Sequence, residues 1–430
     1  MAKSMGERLV IRGGRPLRGT ITASGSKNAS LYAIAAALLT ADTVTIHNAP
    51  AIVDVGQMAD VLRSLGADVE DSGDSIQIQA AELTASRAPD ELVVALRASF
   101  LVMGPLLGRE GEAICAPPGG DVIGVRPLDV HLSGFEALGA EVGRDGAAWV
   151  ARATRLTGAR IFFDYPSVLG TVNLIFAAVL ADGSTTLVNA AAEPEVQMVA
   201  EMLISMGARI SGHGGNTIEI AGVDRLHGTE WTVIPDRIEN GTYMLAAAAT
   251  RGDVTVEGAE MRHLDGLLTK LSEAGLRVDA DEHGIRVCHR GSDGIRPIQL
   301  QAVPYPGYAT DLHAPMAAML TQAEGVSIVA ERVFDNRLLY VGELRSMGAR
   351  ITAAGQSVLI EGPTPLYGTN VRALDVRAGA AVVIAGLAAE GETAIRDVTH
   401  IDRGYANLVE RLSSLGAEIE RQWADGPAGG

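Results

Sequence analysis

Cysteine, lysine, aromatic residues and long apolar runs are all scarce in this chain. Two cysteines in 430 residues give no disulfide framework and make a reducing cytoplasm the expected compartment. Aromatic residues are 4% of the sequence, so the core must be built from Ala, Leu, Val and Ile. The longest apolar runs, such as that within Asn173–Ala181, fall far short of the roughly eighteen residues a membrane helix needs. The N-terminal stretch carries no apolar signal region. Nine histidines show no metal-ligand spacing, so no metal is expected. Ser/His/Asp and Cys/His signatures, dinucleotide glycine patterns and kinase motifs are missing too, and no cofactor is expected. A net charge of −17 argues against nucleic acid or an anionic membrane as partner. Only three of the 35 basic residues are lysines (Lys3, Lys27 and Lys270), which singles out Lys27 in its small-residue loop.

What is abundant is repetition. Six amphipathic stretches end in glycine, at Gly66, Gly139, Gly207, Gly275, Gly348 and Gly416, with spacings of 73, 68, 68, 73 and 68. A period this long marks one supersecondary unit written six times. Each copy opens with a run apolar on nearly every face, as in Asn28–Leu39 or Ala378–Ala389, which predicts a buried helix. A short β-rich run and a second, amphipathic helix follow, as in Thr43–Ile46 and Val55–Leu65, before the closing glycine. The expected fold is α/β (α+β), with two similar domains of three helix-strand units each, helices inside and sheets outside. The first domain is expected over 27–234, carrying a Pro/Gly-rich loop at 117–127. The second is expected over 1–26 plus 235–430.

The unusual residues fall at helix beginnings. Lys27, Arg97, Arg237, Asp311 and Arg377 lie at or just before the starts of the apolar helices; Asp54, Arg126, Arg337 and Arg403 lie at the starts of the second ones. Helix N-termini already favour anions, and arginine there adds nothing to the helix because like signs meet. Several such arginines predict an anionic ligand gathered where the two domains face each other. Taken singly, each residue has a plainer reading. Asp311 is a good N-cap, Asp121 suits a turn, and Arg377 or Arg403 could be surface ion pairs.

Together these motifs resemble the UDP-N-acetylglucosamine enolpyruvyl transferases of the enolpyruvyl transferase family. The resemblance covers roughly Glu7 to Arg421. It rests on SGSKN at Ser24–Asn28, RAS at Arg97–Ser99, PGGDVIGVRPLD at Pro118–Asp129, PYPGYATDL at Pro304–Leu312, DNR at Asp335–Arg337 and HIDRGY at His400–Tyr405. It implies an inside-out α/β barrel in each domain. It also implies transfer of the enolpyruvyl group of phosphoenolpyruvate to the 3-hydroxyl of UDP-N-acetylglucosamine, by addition and elimination, in peptidoglycan precursor synthesis. Carried over by position, Lys27, Arg97, Arg126, Arg337, Arg377 and Arg403 would hold phosphoenolpyruvate, with Arg337 and Arg377 on its carboxylate. Asp311 would be the base on the acceptor hydroxyl, and Lys27 and Arg403 would act at the reacting phosphate. Asp121 stands at a lid position that is cysteine in many members and would protonate C3, so insensitivity to fosfomycin, which alkylates that thiol, is implied. Asn28, Arg126, Pro127, Leu128, Asp129, Ser167, Val168, Leu169, Asp311 and Val333 would contact the nucleotide. One loop departs from the family pattern: Ser-Val-Gly-Ala-Thr-Glu-Asn is here Ser167-Val168-Leu169-Gly170-Thr171-Val172-Asn173. Transfer to another uridine nucleotide such as UMP, in a nucleoside-antibiotic pathway, is the alternative. A non-catalytic ligand-binding paralogue is a reading of a different class.

Overall fold

The computed structural model describes residues 6–73, 75–119, 123–124, 127–289 and 294–423. The chain folds into two units. The first is Gly25–Asp121 with Arg126–Ile234, and the second is Met1–Ser24 with Val122–Val125 and Pro235–Gly430.

Each unit is built around three apolar helices. They are Lys27–Ala36, Met103–Glu110 and Val168–Ala178 in the first, and Arg237–Ala249, His313–Leu320 and Val376–Ala388 in the second. Every residue of His313–Leu320 is buried, as is every residue of Arg237–Ala249 after the first. The all-round apolar pattern therefore becomes central helices, as its periodicity requires.

Three sheets cover the helices of each unit, and one pairing scheme recurs. Gln299–Ala302 runs parallel to Gly325–Glu331, which pairs antiparallel with Ser357–Gly362, and that strand with Arg350–Ala354. Five of the six sheets follow this order. In the sixth the leading strand shrinks to a single parallel bridge, Arg87 with Ile114. The N-terminal strand Glu7–Arg12 sits between Glu392–Arg396 and Glu418–Trp423, so the first strand of the chain completes its last repeat. Strands such as Thr217–Ala221 alternate exposed and buried residues, one face on the helices and one toward solvent.

The six repeat glycines now have a physical reason. All have positive φ, from 92° to 104°, just past the C-termini of the outer helices. At Gly66 the turn closes with Gly66 N donating to Arg63 O and Ala67 N donating to Leu62 O. This left-handed closing turn strains any residue with a Cβ.

Helix starts are capped where chemistry gathers. Ser26, Ser167, Asp236 and Asp375 each accept backbone N–H bonds at the first turn of a central helix. Two second helices start later than their spacing suggests. The one expected to start at Arg337 begins at Tyr340, because the N–H groups of Val333 and Phe334 go to Glu331 and that of Asn336 goes to Ile123 O. Arg403 is the C-cap of the short helix Thr399–Asp402, and Asn407 at φ 50° separates it from Leu408–Ser414. Among the described residues no helix is long and apolar enough to cross a membrane.

Asn173 ties the first unit's helices together. It is fully buried, accepts from Gly104 N at 2.7 Å and donates to Phe100 O at 3.0 Å, across the junction between the 3-10 turn Arg97–Val102 and Met103–Glu110. Its amide also lies 3.0 Å from His131 Nδ1. Asn173→Ala strands a buried N–H and a buried carbonyl. Chemical denaturation should show a loss of roughly 2–4 kcal/mol, against no more than about 0.5 for a surface control such as Thr217→Ala.

Candidate functional site

In the second unit one carboxylate faces two buried guanidiniums. Asp311 Oδ1 accepts from Arg337 at 2.7 Å, and Oδ2 accepts from Arg377 Nε at 3.1 Å. Arg337 and Arg377 are only 4% and 6% exposed. The expected capping role for Asp311 is not realised: it lies inside the 3-10 turn Thr310–Leu312, which has no side-chain cap. Its oxygens are taken by cations instead. Burial alone would raise the Asp311 carboxyl; Arg377 and Arg337, with a smaller contribution from Arg237, outweigh it and hold the group well below the ordinary carboxylate range. Burial likewise opposes the charge on Arg377, and attraction to Asp311 overcomes it, so the guanidinium is held charged.

Each partner is delivered by local structure. Asp375 caps the helix that carries Arg377, accepting from Arg377 N at 2.7 Å and Ala378 N at 2.9 Å. Arg377 also donates to Tyr405 Oη at 3.2 Å, which lies 3.0 Å from Thr242 Oγ1. The Arg337 guanidinium stands over the Phe334 ring at 5.2 Å. Gly404 packs against Val376, with the place of its missing Cβ 3.5 Å from an Arg377 nitrogen, and half-buried Arg403 precedes it in the chain. Val333 is half-buried on the turn before Arg337. The described part of the Pro/Gly-rich loop that falls in this unit is Ile123 and Gly124, and Ile123 O accepts from Asn336 N at 3.1 Å.

The first unit carries most of the other expected residues. Lys27 is not a solvated loop residue: it is 8% exposed and lies 2.6 Å from Asp54 Oδ2. Asn28 follows it, half-buried, on the same first turn. Arg97 opens its 3-10 turn, and its charge, added to burial, pushes His131 down to about 3. Pro127, Leu128 and Asp129 lead into the helix Asp129–Ala137, with Pro127 and Asp129 exposed. Ser167 caps Val168–Ala178, so Val168 and Leu169 occupy its first turn. Asp121 and Arg126 lie outside the described residues. Among the described residues no three His, Cys, Asp or Glu side chains are grouped to hold a metal ion.

Three contacts in and around these groups could not be read from periodicity: Tyr405, last residue of the HIDRGY motif, as the partner of Arg377, Glu331 behind Thr310, and Glu239. Each acts on a neighbour distant in sequence, which periodicity cannot report. Glu239 is 2% exposed on the first turn of Arg237–Ala249. Burial raises its carboxyl to about 7, opposed by Arg411 and by hydrogen bonds from Ser24 and Tyr243, with Asp236 adding to the rise. A raised carboxyl contributes stability while protonated and loses it as pH rises through the folded value. Thermal melts should therefore show wild type losing stability between about pH 4.5 and 7, on the order of 3 kcal/mol relative to Glu239→Gln. An unchanging difference between the two proteins across that range would exclude the ionisation.

Comparison with known proteins follows the same lines. The family model described as EPSP synthase (3-phosphoshikimate 1-carboxyvinyltransferase) matches residues 11–412. UDP-N-acetylglucosamine 1-carboxyvinyltransferase 2 of Carboxydothermus hydrogenoformans is 48% identical over 415 residues, 96% of this chain and 99% of that protein. UDP-N-acetylglucosamine 1-carboxyvinyltransferase 1 of Caldanaerobacter subterraneus subsp. tengcongensis is 45% identical over 97% of this chain and all of its own. Among solved structures, the enolpyruvyl transferase NikO from Streptomyces tendae superposes with TM-score 0.87 at 27% identity, covering 97% of this chain and 99% of that one. EPSP synthase from Acinetobacter baumannii shares the fold, with TM-score 0.74 at 18% identity over 97% of this chain and all of its own.

Proposed function

We infer the function from one premise: the chain belongs to the enolpyruvyl (1-carboxyvinyl) transferase family that the EPSP synthase model describes. It transfers the enolpyruvyl group of phosphoenolpyruvate to the 3-hydroxyl of UDP-N-acetylglucosamine. The acceptor oxygen bonds to C2 as C3 takes a proton. C3 then loses a proton, the C2–O bond to phosphate breaks, and phosphate leaves with the electron pair.

The observation that carries this reading is the pair of buried guanidiniums sharing Asp311. Two cations against one carboxylate leave an excess of positive charge, and a substrate carboxylate is its natural complement. When the carboxylate of phosphoenolpyruvate takes donors from Arg337 and Arg377, Asp311 loses the attraction that depresses it. It then becomes a stronger base, able to accept the acceptor's proton. Lys27, Arg97, Arg126 and Arg403 hold the phosphate and stabilise charge as it leaves. Asp121, in protonated form, delivers the proton to C3. Asn28, Arg126, Pro127, Leu128, Asp129, Ser167, Val168, Leu169, Asp311 and Val333 contact the nucleotide. Burial pushes the Cys115 thiol up to about 12, which sets Cys115 apart from the reaction.

UDP-N-acetylglucosamine is favoured over a smaller uridine nucleotide because the nearly full-length relatives carry it in their names. The altered loop also keeps its helix start: Gly170 stands one place after Leu169, where a Cβ would lie 2.8 Å from Ser167 Oγ. Phosphate release from phosphoenolpyruvate should require UDP-N-acetylglucosamine, and Asp311→Asn should lower kcat by about 10²–10⁴-fold. Release with UMP alone would move the acceptor to the alternative. No release with either would leave a binding protein.

Asp121 makes a separate prediction. A carboxylate is a far poorer target for an epoxide than a thiolate, so wild type should keep full activity after incubation with fosfomycin. Asp121→Cys should be inactivated in a time-dependent, covalent manner. Covalent labelling of wild type at Asp121 would contradict the assignment.

A further inference from the structure

Behind Asp311 lies a carboxylate that, among the described residues, hydrogen-bonds neither of its arginines and meets Arg337 through charge alone. Glu331 is fully buried at the end of the strand Gly325–Glu331. Its Oε2 accepts from Thr310 Oγ1 at 2.7 Å, and its Oε1 accepts from Val333 N at 2.7 Å and Phe334 N at 3.2 Å. Thr310 immediately precedes Asp311 in their shared 3-10 turn. Phe334 lies under the Arg337 guanidinium, and Arg337 reaches back to Asp311. The contacts therefore close a ring, from Glu331 through Thr310 and Asp311 to Arg337, Phe334 and back.

We propose that Glu331 is a positioning residue that sets the distance between Asp311 and Arg337 and couples the Val333 turn to the base. The inference rests on the function proposed above, since it takes Asp311 as the base and the Val333 turn as acceptor-facing. The physical basis is economy of fixed points. Asp311 and Arg337 stand on different segments, and an Asp–Arg contact between two free side chains tolerates wide variation. A buried carboxylate bonded to the Thr310 hydroxyl on one segment and to two backbone N–H groups on the other removes that freedom, because releasing either side strands a buried charge or a buried N–H. Asp311 is faced by Arg377, Arg337 and Arg237, and of these Arg337 alone is tied to the Glu331 ring.

Three variants separate positioning from simple support. Thr310→Val removes the link to the base turn and leaves Val333 and Phe334 held. Glu331→Ala removes both links. Glu331→Gln keeps both, with the Thr310 hydroxyl turning from donor to acceptor. The first readout is the Asp311 carboxyl titration in the full chain, by aspartate-selective ¹³C labelling, assigned by the signal lost in Asp311→Asn. The second is kcat and KM for phosphate release with phosphoenolpyruvate and UDP-N-acetylglucosamine.

Thr310→Val should move the Asp311 titration up toward the ordinary range and lower kcat on the order of tenfold. Glu331→Ala should do both and also raise the acceptor KM, while Glu331→Gln stays near wild type. Combining Thr310→Val with Glu331→Ala should cost no more in kcat than Glu331→Ala alone, since both break one bridge. An Asp311 titration unmoved in folded Thr310→Val, or additive losses in the double variant, would overturn the proposal. If wild type releases no phosphate with any acceptor, the proposed function fails, and the titration still decides the positioning role by itself.

Discussion

One carboxylate shared by two buried guanidiniums is the interaction on which the second unit's chemistry depends. Cations as enclosed as Arg337 and Arg377 are tolerated only beside an opposite charge, because desolvation otherwise outweighs what packing returns. Asp311 supplies that charge in the free protein and is too small to satisfy both. The remaining donors are aimed: Tyr405 takes one nitrogen of Arg377, and the Phe334 face supports Arg337. Such an arrangement stores affinity for an anion. The donors that now meet Asp311 are of the kind a substrate carboxylate would take.

The fold makes this possible by separating apolar from polar along the helix axis. A helix apolar on every face can fill the centre of a unit, yet its first N–H groups still need partners. Those partners stand at the ends, and the repeat places them alike. Ser26 precedes Lys27, Asp236 precedes Arg237, and Asp375 caps the turn that carries Arg377. In each case a cap takes N–H groups of the first turn, and the next basic residue meets a partner beyond that turn: Asp54 for Lys27, the Tyr305 ring for Arg237 and Asp311 for Arg377. Placing a cation at a helix start costs the helix something. Three recurrences at equivalent starts are more easily understood as a requirement of ligand binding than of folding.

Much of this was legible in the sequence, and the misses share a cause. Glycine spacing reported the sixfold unit because every copy needs a left-handed residue at the same turn. Apolar runs reported the central helices because burial on all faces leaves no room for a polar stripe. Asp311 was open to reading as a cap because a lone Asp before an apolar run fits one, and nothing local announces arginines 26 and 66 residues away. The contacts of Glu331, Tyr405 and Glu239 stayed silent for the same reason. Arg337 and Arg403 were placed at helix starts, whereas backbone bonds to Glu331 and Ile123, and the left-handed Asn407, hold them in turns.

The altered loop keeps a helix start that its sequence alone leaves open. In sequence, leucine at 169 looks like a side chain pushed into a place that needs bare backbone. In the structure, the crowded position is 170, where Ser167 Oγ and a Val130 methyl would each lie 2.8 Å from any added Cβ. Gly170 meets that demand, so the serine cap and the helix start survive with leucine one place earlier, half-buried on the first turn. The backbone N–H groups that favour an anion at a helix start are therefore kept. What departs from the family pattern in this turn is its side chains, Leu169 and Val172 among them, above a serine cap that is kept.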